Sequence, residues 1–226
     1  MADGLEQYPR PAVAVDTAVL TVTSSSELAV LLLPAEPRGG MPVRLPGTFL
    51  HEGELLADAV LRSLRSKAGV GGLAPRQLHV FDAVDRDDRG RVLSVAHVDV
   101  VRFSDLPPGA LVVPVSALPP LAFDHDRIVA FAVEHVRAEY REGPDPRGLL
   151  EAPFTLSRLR TLHEVVLGER LLPDTFRRAM LPQLMPTGEM ERSGRGRPAE
   201  LFRPRMSSNA DLIMSPRSEE PSVSAG

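Results

Sequence analysis

The run LAVLLLP at residues 28–34 constrains this chain most. It carries no charged side chain, yet it is far too short to cross a bilayer, so it reads as a buried strand. The stretches around it agree. VAVDTAVLTV before it alternates and is rich in Val and Thr. LHVFDAV and RVLSVAHVDVV after it flank DRDDRG, a polar segment that suits a hairpin turn. Residues 11–103 are therefore predicted mainly as strands. One helix interrupts them, from about Glu54 to Ala68. Leu56, Val60 and Leu64, with Ala57, Leu61 and Ala68, recur at helical spacing, and Gly69 stands where a C-cap belongs. A second helix is predicted from Asp124, a good N-cap, to Gly143-Pro144, with Ile128, Ala132 and Val136 on one stripe.

Hydrophobic residues make up 43% of the chain, enough for a packed core, but aromatics are only 4% and Trp is absent. Aliphatic side chains must therefore fill the interior. The absence of Cys excludes disulfides and thiolate metal sites. The N-terminus MADGLEQYPRP has no basic region followed by an apolar stretch, so it does not read as a secretory signal, and a soluble cytoplasmic protein is expected. The six His show no metal-ligand spacing and are expected to be structural or exposed; neither metal nor cofactor is expected.

REGPDPRG, before residue 150, reads as a linker. Beyond it, FTLSRLRTLHEVVLG is predicted as a helix capped by Thr155 or Ser157 and closed by Gly168. ERLLP makes a short turn, and PDTFRRAMLP a shorter helix between Pro173 and Pro182. Two extended pieces around a Gly- and Arg-rich tip follow. Helix, tight turn, helix, hairpin is the order of a winged helix-turn-helix. Charge divides the same way. The net charge is −4, but residues 155–206 hold ten Arg against six acids, so the acidic excess lies in the earlier part. The basic part is the one suited to phosphate.

LPGTFLHEGELLADAVLRSLRSKAGV, Leu45–Val70, resembles the Nudix box. Glu54, Arg62, Leu64, Gly69 and Val70 stand at matching positions, with Gly47 just ahead of the motif. The first motif Gly is Thr48, the Glu after the Arg is Ser63, and the Glu-Glu pair is Ser66-Lys67. Nudix hydrolases cut pyrophosphates with Mg²⁺ or Mn²⁺, hard cations that need carboxylate oxygens. Ser66 is a weak neutral ligand and Lys67 repels a cation, so pyrophosphohydrolase activity is not expected, although binding of a diphosphate compound is. FDHDRIVAFAVEHVR, PFTLSRLRTLHEVVLG, FRRAML, GRPAELFRP and DRDDRGRVLSVAH are similar to the Nudix-related transcriptional regulators of the NrtR family, over about Pro11 to Arg205.

That resemblance implies an α/β chain, a Nudix-like α/β/α sandwich followed by a C-terminal winged helix-turn-helix domain. It implies a homodimeric repressor that binds a palindromic double-stranded DNA operator. Such a repressor responds to ADP-ribose or a related nucleotide and acts on genes of NAD metabolism. The expected division is a disordered tail at 1–10, an effector-binding and dimerisation domain at 11–143, a linker at 144–152, the winged helix at 153–206 and a disordered tail at 207–226. A weak or substrate-shifted Nudix pyrophosphohydrolase, and a regulator of the same architecture that senses a sugar, are the alternatives.

Candidate DNA-binding residues are Arg177 and Arg178 in the first turns of the recognition helix, Thr175 beside them, Arg195 and Arg197 at the wing tip, and Thr155, whose hydroxyl and backbone N–H suit a phosphate. Candidate effector-binding residues are Arg44, placed to meet a diphosphate, with Glu54 and Arg62, which are also expected to form an internal pair steadying the box. RDDRGR is expected to be a solvated turn.

Overall fold

The computed structural model describes residue 4 and residues 7–35, 43–192 and 198–205. The apolar runs form a mixed sheet: β1 (Ala12–Val22), β2 (Leu28–Pro34), β3 (Val43–Arg44), β4 (Gly47–Phe49), β5 (Arg76–Phe81), β6 (Val92–Val100) and β7 (Leu111–Pro114). The order is β3-β2-β1-β6-β5, with β4 paired to the first half of β1 and β7 to β2. β1 and β6 run parallel, from Ala12 opposite Val92 to Leu20 opposite Val100, and the other pairings are antiparallel.

β1 is apolar on both faces because both are covered. Val15 and Val19 pack against Ala59 and Val60 of helix α1 (Leu56–Ser63) and against Leu64 just after it. Ala18 and Leu20 face Ile128, Ala132 and Val136 of α2 (His125–Glu142). Period-two alternation thus splits one strand between two cores, giving the α/β/α sandwich. The predicted Glu54–Ala68 helix is α1 plus a wider turn at Leu64–Ala68, and Gly69 closes it at φ 66°. Asp124 stands at the start of α2 but makes no side-chain cap; its carboxylate is held by Arg86 instead.

The C-terminal part is β8 (Phe154–Thr155), α3 (Leu156–Leu167), α4 (Pro173–Met180), β9 (Leu184–Glu191) and β10 (Ala199–Pro204), with sheet order β8-β10-β9. Gly168 ends α3 in the left-handed region at φ 74°, and Pro173 opens α4. Phe154, Leu159, Phe176, Met180, Leu184 and Phe202 make its small core. Leu162 and Val166 of α3 belong to the α2 side of the larger core, so the two parts share a wall.

Residues 144–152, expected as a linker, are fastened down. Asp145 accepts from the Tyr140 hydroxyl (2.7 Å) and from the backbone N–H of Leu149 and Leu150. Arg147 forms a two-pronged pair with Glu139 (2.6 and 2.9 Å). Pro, Gly and Asp composition signals a loop, and it is silent about long-range pins of this kind. The tail at 207–226 lies outside the described residues, as do parts of the tail at 1–10.

Candidate functional site

A cavity of about 270 Å³ opens where β1, β4, the end of the old box, the loop 82–91 and the start of α2 converge. Its floor is Asp16 of β1, which accepts from the Ser94 hydroxyl at 2.6 Å and faces His125 Nε2 at 3.4 Å and Arg86 at 3.6 Å. Burial acts to raise the Asp16 pKa, but His125, Ser94 and Arg86 outweigh it and hold the carboxyl below its ordinary value. His125 Nδ1 accepts from the Leu45 N–H at 2.9 Å, so its proton sits on Nε2, toward Asp16. Arg86 clasps Asp124 through both prongs (2.6 and 3.1 Å), with its side chain 3% exposed. Gly47 is required here: a Cβ would lie 1.9 Å from Asp16 Oδ1 and 2.9 Å from the Val15 carbonyl.

Cations and aromatic faces line the rim. Arg44 is half-buried, and its Nε lacks a hydrogen-bond partner among the described residues. Lys67 donates to the Gly47 carbonyl, and burial, then the nearby Arg44 and Arg62, lower its pKa against the pull of Asp16. Arg89, paired with Asp87 (2.6 and 2.8 Å), lies over the rings of Phe49 (5.2 Å) and Phe123 (5.5 Å). Phe123 is exposed and sits at φ 59°, a strained backbone for an aromatic residue.

The box itself is closed to a divalent cation. Both Glu54 oxygens are engaged, by Arg62 at 2.7 and 2.8 Å and by the His51 N–H. The Arg62 hydrogen bonds, with that of His51, bring the Glu54 pKa down to about 2. Arg62 also donates to Thr48 Oγ1 and the Phe49 carbonyl, fixing the strand that carries Phe49. Ser66 donates to the Arg62 carbonyl, and Lys67 puts an ammonium at the second position of the motif's Glu-Glu pair. No group of three His, Asp or Glu that suits a metal occurs among the described residues. These donors do not fit Mg²⁺ or Mn²⁺.

On the other part, Thr175, Arg177 and Arg178 are exposed on α4, while Phe176 and Met180 anchor its opposite side. Arg178 Nε donates to the Asp174 carbonyl at 3.3 Å. Thr155 differs from its expected role. It is buried, and its hydroxyl accepts from the Arg158 N–H as the N-cap of α3, so it faces the helix rather than a phosphate. Arg195 and Arg197 lie outside the described residues.

The NrtR DNA-binding winged helix domain matches residues 146–203. The crystal structure of Shewanella oneidensis NrtR complexed with a 27mer DNA is 30% identical, covering 85% of this chain and 93% of that one, with a TM-score of 0.71. The chain belongs to the NrtR family. The Nudix domain of the same Shewanella protein, complexed with ADP ribose, superposes at TM-score 0.51 with 26% identity, over 60% of this chain and 94% of that one. The ADPR responsive transcriptional repressor NtrR of Acinetobacter baylyi is 28% identical over 212 residues, 87% of this chain and 83% of its own. The ADP-ribose pyrophosphatase of Methanocaldococcus jannaschii is 32% identical over 127 residues, 54% of this chain and 73% of its own.

Within this NrtR-family chain, Arg44 lines the cavity, whereas Glu54 and Arg62 do not; they form the expected internal pair and brace the loop behind Thr48 and Phe49. In this structure they stand beside the cavity and support its rim. RDDRGR is a turn, but only part of it is solvated: Arg86 and Asp87 are buried in the cavity wall, while Asp88, Gly90 and Arg91 are exposed. His125 likewise belongs to the cavity. Sequence reading singled out Lys67 only as a residue that repels a cation, and it missed Asp16, Arg86, Arg89, Phe49 and Phe123 as cavity residues. An Asp inside an apolar strand, VAVDTAVLTV, was the one local signal, since a buried carboxylate needs partners from elsewhere.

Proposed function

We propose that this chain is a ligand-responsive transcriptional repressor whose sandwich part senses ADP-ribose and whose winged helix reads operator DNA. The observation that carries the effector reading is Arg44, which lines the cavity beside Lys67 and whose buried Nε has no hydrogen-bond partner among the described residues. A buried donor without an acceptor is costly, and a diphosphate oxygen relieves that cost. The rings of Phe49 and Phe123 offer faces to the adenine. The Acinetobacter repressor's response to ADPR and the Shewanella complexes with DNA and ADP ribose support the same reading. By resemblance, the regulated genes belong to NAD metabolism, the operator is palindromic and the repressor is a homodimer whose sandwich parts set the spacing of two winged helices.

Arg177 and Arg178 meet base edges or phosphates, with Thr175 beside them. Arg195 and Arg197 extend that contact at the wing. The chain is not a hydrolase in this reading, because the one motif carboxylate is locked by Arg62 and Lys67 stands at the second position of the motif's Glu-Glu pair.

A mobility-shift titration tests this. A duplex selected by the protein from a random library is expected to be released as ADP-ribose is added; binding indifferent to saturating ADP-ribose rejects the gating. The likeness to the Methanocaldococcus pyrophosphatase favours the enzyme as the second reading. AMP released at an enzymatic rate from ADP-ribose and Mg²⁺ would establish it. No helix among the described residues is long and apolar enough to cross a membrane.

A further inference from the structure

α2 ends in both working regions. Its first residues form the cavity wall, through Asp124 with Arg86, His125 with Asp16 and the Leu45 N–H, and the strained Phe123. About 27 Å further along its 18 residues, its last turns grip the winged helix. Arg137 Nε donates to the Val166 carbonyl at the end of α3 (3.1 Å). Tyr140, fully buried, meets the ring of His163 of α3 edge-on at 5.3 Å and 73°. The same His163 ring meets Phe176 of α4 at 4.9 Å and 72°. His163 is 1% exposed, and its Nε2 donates to the Pro144 carbonyl at 2.6 Å, since a carbonyl can only accept. Three rings on three helices thus make one continuous contact. It runs from the effector helix to the residue between Thr175 and Arg177 on the DNA-facing helix.

We propose that His163 is a positioning residue that couples α4 to α2 through Tyr140 and Phe176, so that DNA occupancy at α4 is felt at the cavity end of α2. This rests on the reading of α4 as the DNA-contacting helix. Close packing moves as discrete rearrangements rather than by continuous deformation, so a tilt of α2 carries α4 with it. Coupling between two sites is reciprocal, so the signal is readable from the DNA side without any effector.

The test is amide hydrogen exchange on the full chain with and without a duplex selected from a random library by the wild-type protein. In the wild type, duplex binding is expected to change exchange at residues 125–142 and 45–49 on the order of threefold or more. Tyr140→Phe keeps the ring and is expected to keep that change. His163→Gln and Tyr140→Leu are expected to bind duplex while confining the change to residues beyond 156. A wild type whose α2 exchange ignores DNA overturns the proposal, as does a His163→Gln protein that transmits the full change. Loss of duplex binding by both His163→Gln and Tyr140→Leu leaves the stack a purely structural role and overturns it too. If ADP-ribose left duplex affinity unchanged, the effector reading would fall while this coupling was still decided by exchange alone.

Discussion

Arg86 in the cavity is 3% exposed and held between two carboxylates, whereas Arg177 on α4 is exposed and has no ion-pair partner among the described residues. The two regions use the same cation in opposite ways. In the cavity, charges are matched inside the protein first, and the few unmatched groups, Arg44 above all, define what a ligand must bring. On α4 the side chains stay solvated, which suits a partner whose phosphates supply the counter-charge. Stability and recognition should therefore separate: substitutions in the cavity damage the fold, and substitutions on α4 damage only binding.

The largest expected effect follows from that contrast. Arg86→Ala takes from Asp124 its two-pronged partner and from buried Asp16 one of its three partners, and denaturant unfolding should show a loss of about 3–5 kcal/mol. A loss below about 1 kcal/mol would mean that the cavity charges are not locked as described. Gly47→Ala forces Asp16 from its place and is expected to destabilise by about 1–3 kcal/mol and to weaken effector binding measured by calorimetry. Arg177→Ala should leave the unfolding midpoint nearly unchanged, within about 0.5 kcal/mol, while weakening a specific duplex by about 1–3 kcal/mol. If Arg178 meets a phosphate, Arg178→Ala lowers the slope of log affinity against log salt by about 0.9. An Arg177→Ala protein that unfolds early would break the comparison.

Acid should reveal the buried His side chains next. Burial lowers the pKa of His97 and His163 below 6.5, partly offset by their bonds to the Val95 and Pro144 carbonyls. The unfolded chain therefore takes up protons first, and stability falls as pH drops below 6.5. His97→Gln should flatten that limb of a plot of Tm against pH. Glu54 acts at lower pH: its contribution is present above 4.5 and is lost as pH falls toward about 2. Glu54→Gln should leave the neutral-pH fold intact and mainly loosen the loop at Phe49, the smallest effect of the set.

The same contrast explains what could be read from sequence. Elements whose evidence is local were legible. The strands at 12–22 and 28–34, the stripe of Ile128, Ala132 and Val136, the glycines that close α1 and α3, and the Glu54–Arg62 pair eight residues apart all declare themselves within one window. The α4 face was legible too, because exposed residues need no partners. The cavity was not. Arg86 meets Asp124 38 residues away and Asp16 meets Ser94 78 residues away, so a polar turn such as DRDDRG looks wholly solvated until the chain folds. Asp124 looked like a helix cap and Thr155 like a phosphate ligand for the same reason, since residue type leaves open which of several partners is in reach.

We infer that the cavity and the α4 face are two linked sites. Calorimetry of ADP-ribose binding to the full chain, alone and saturated with its selected duplex, tests it most directly. Linkage predicts that the duplex weakens ADP-ribose binding by the same factor by which ADP-ribose weakens the duplex, on the order of 5–150-fold. An ADP-ribose affinity identical with and without DNA would contradict it.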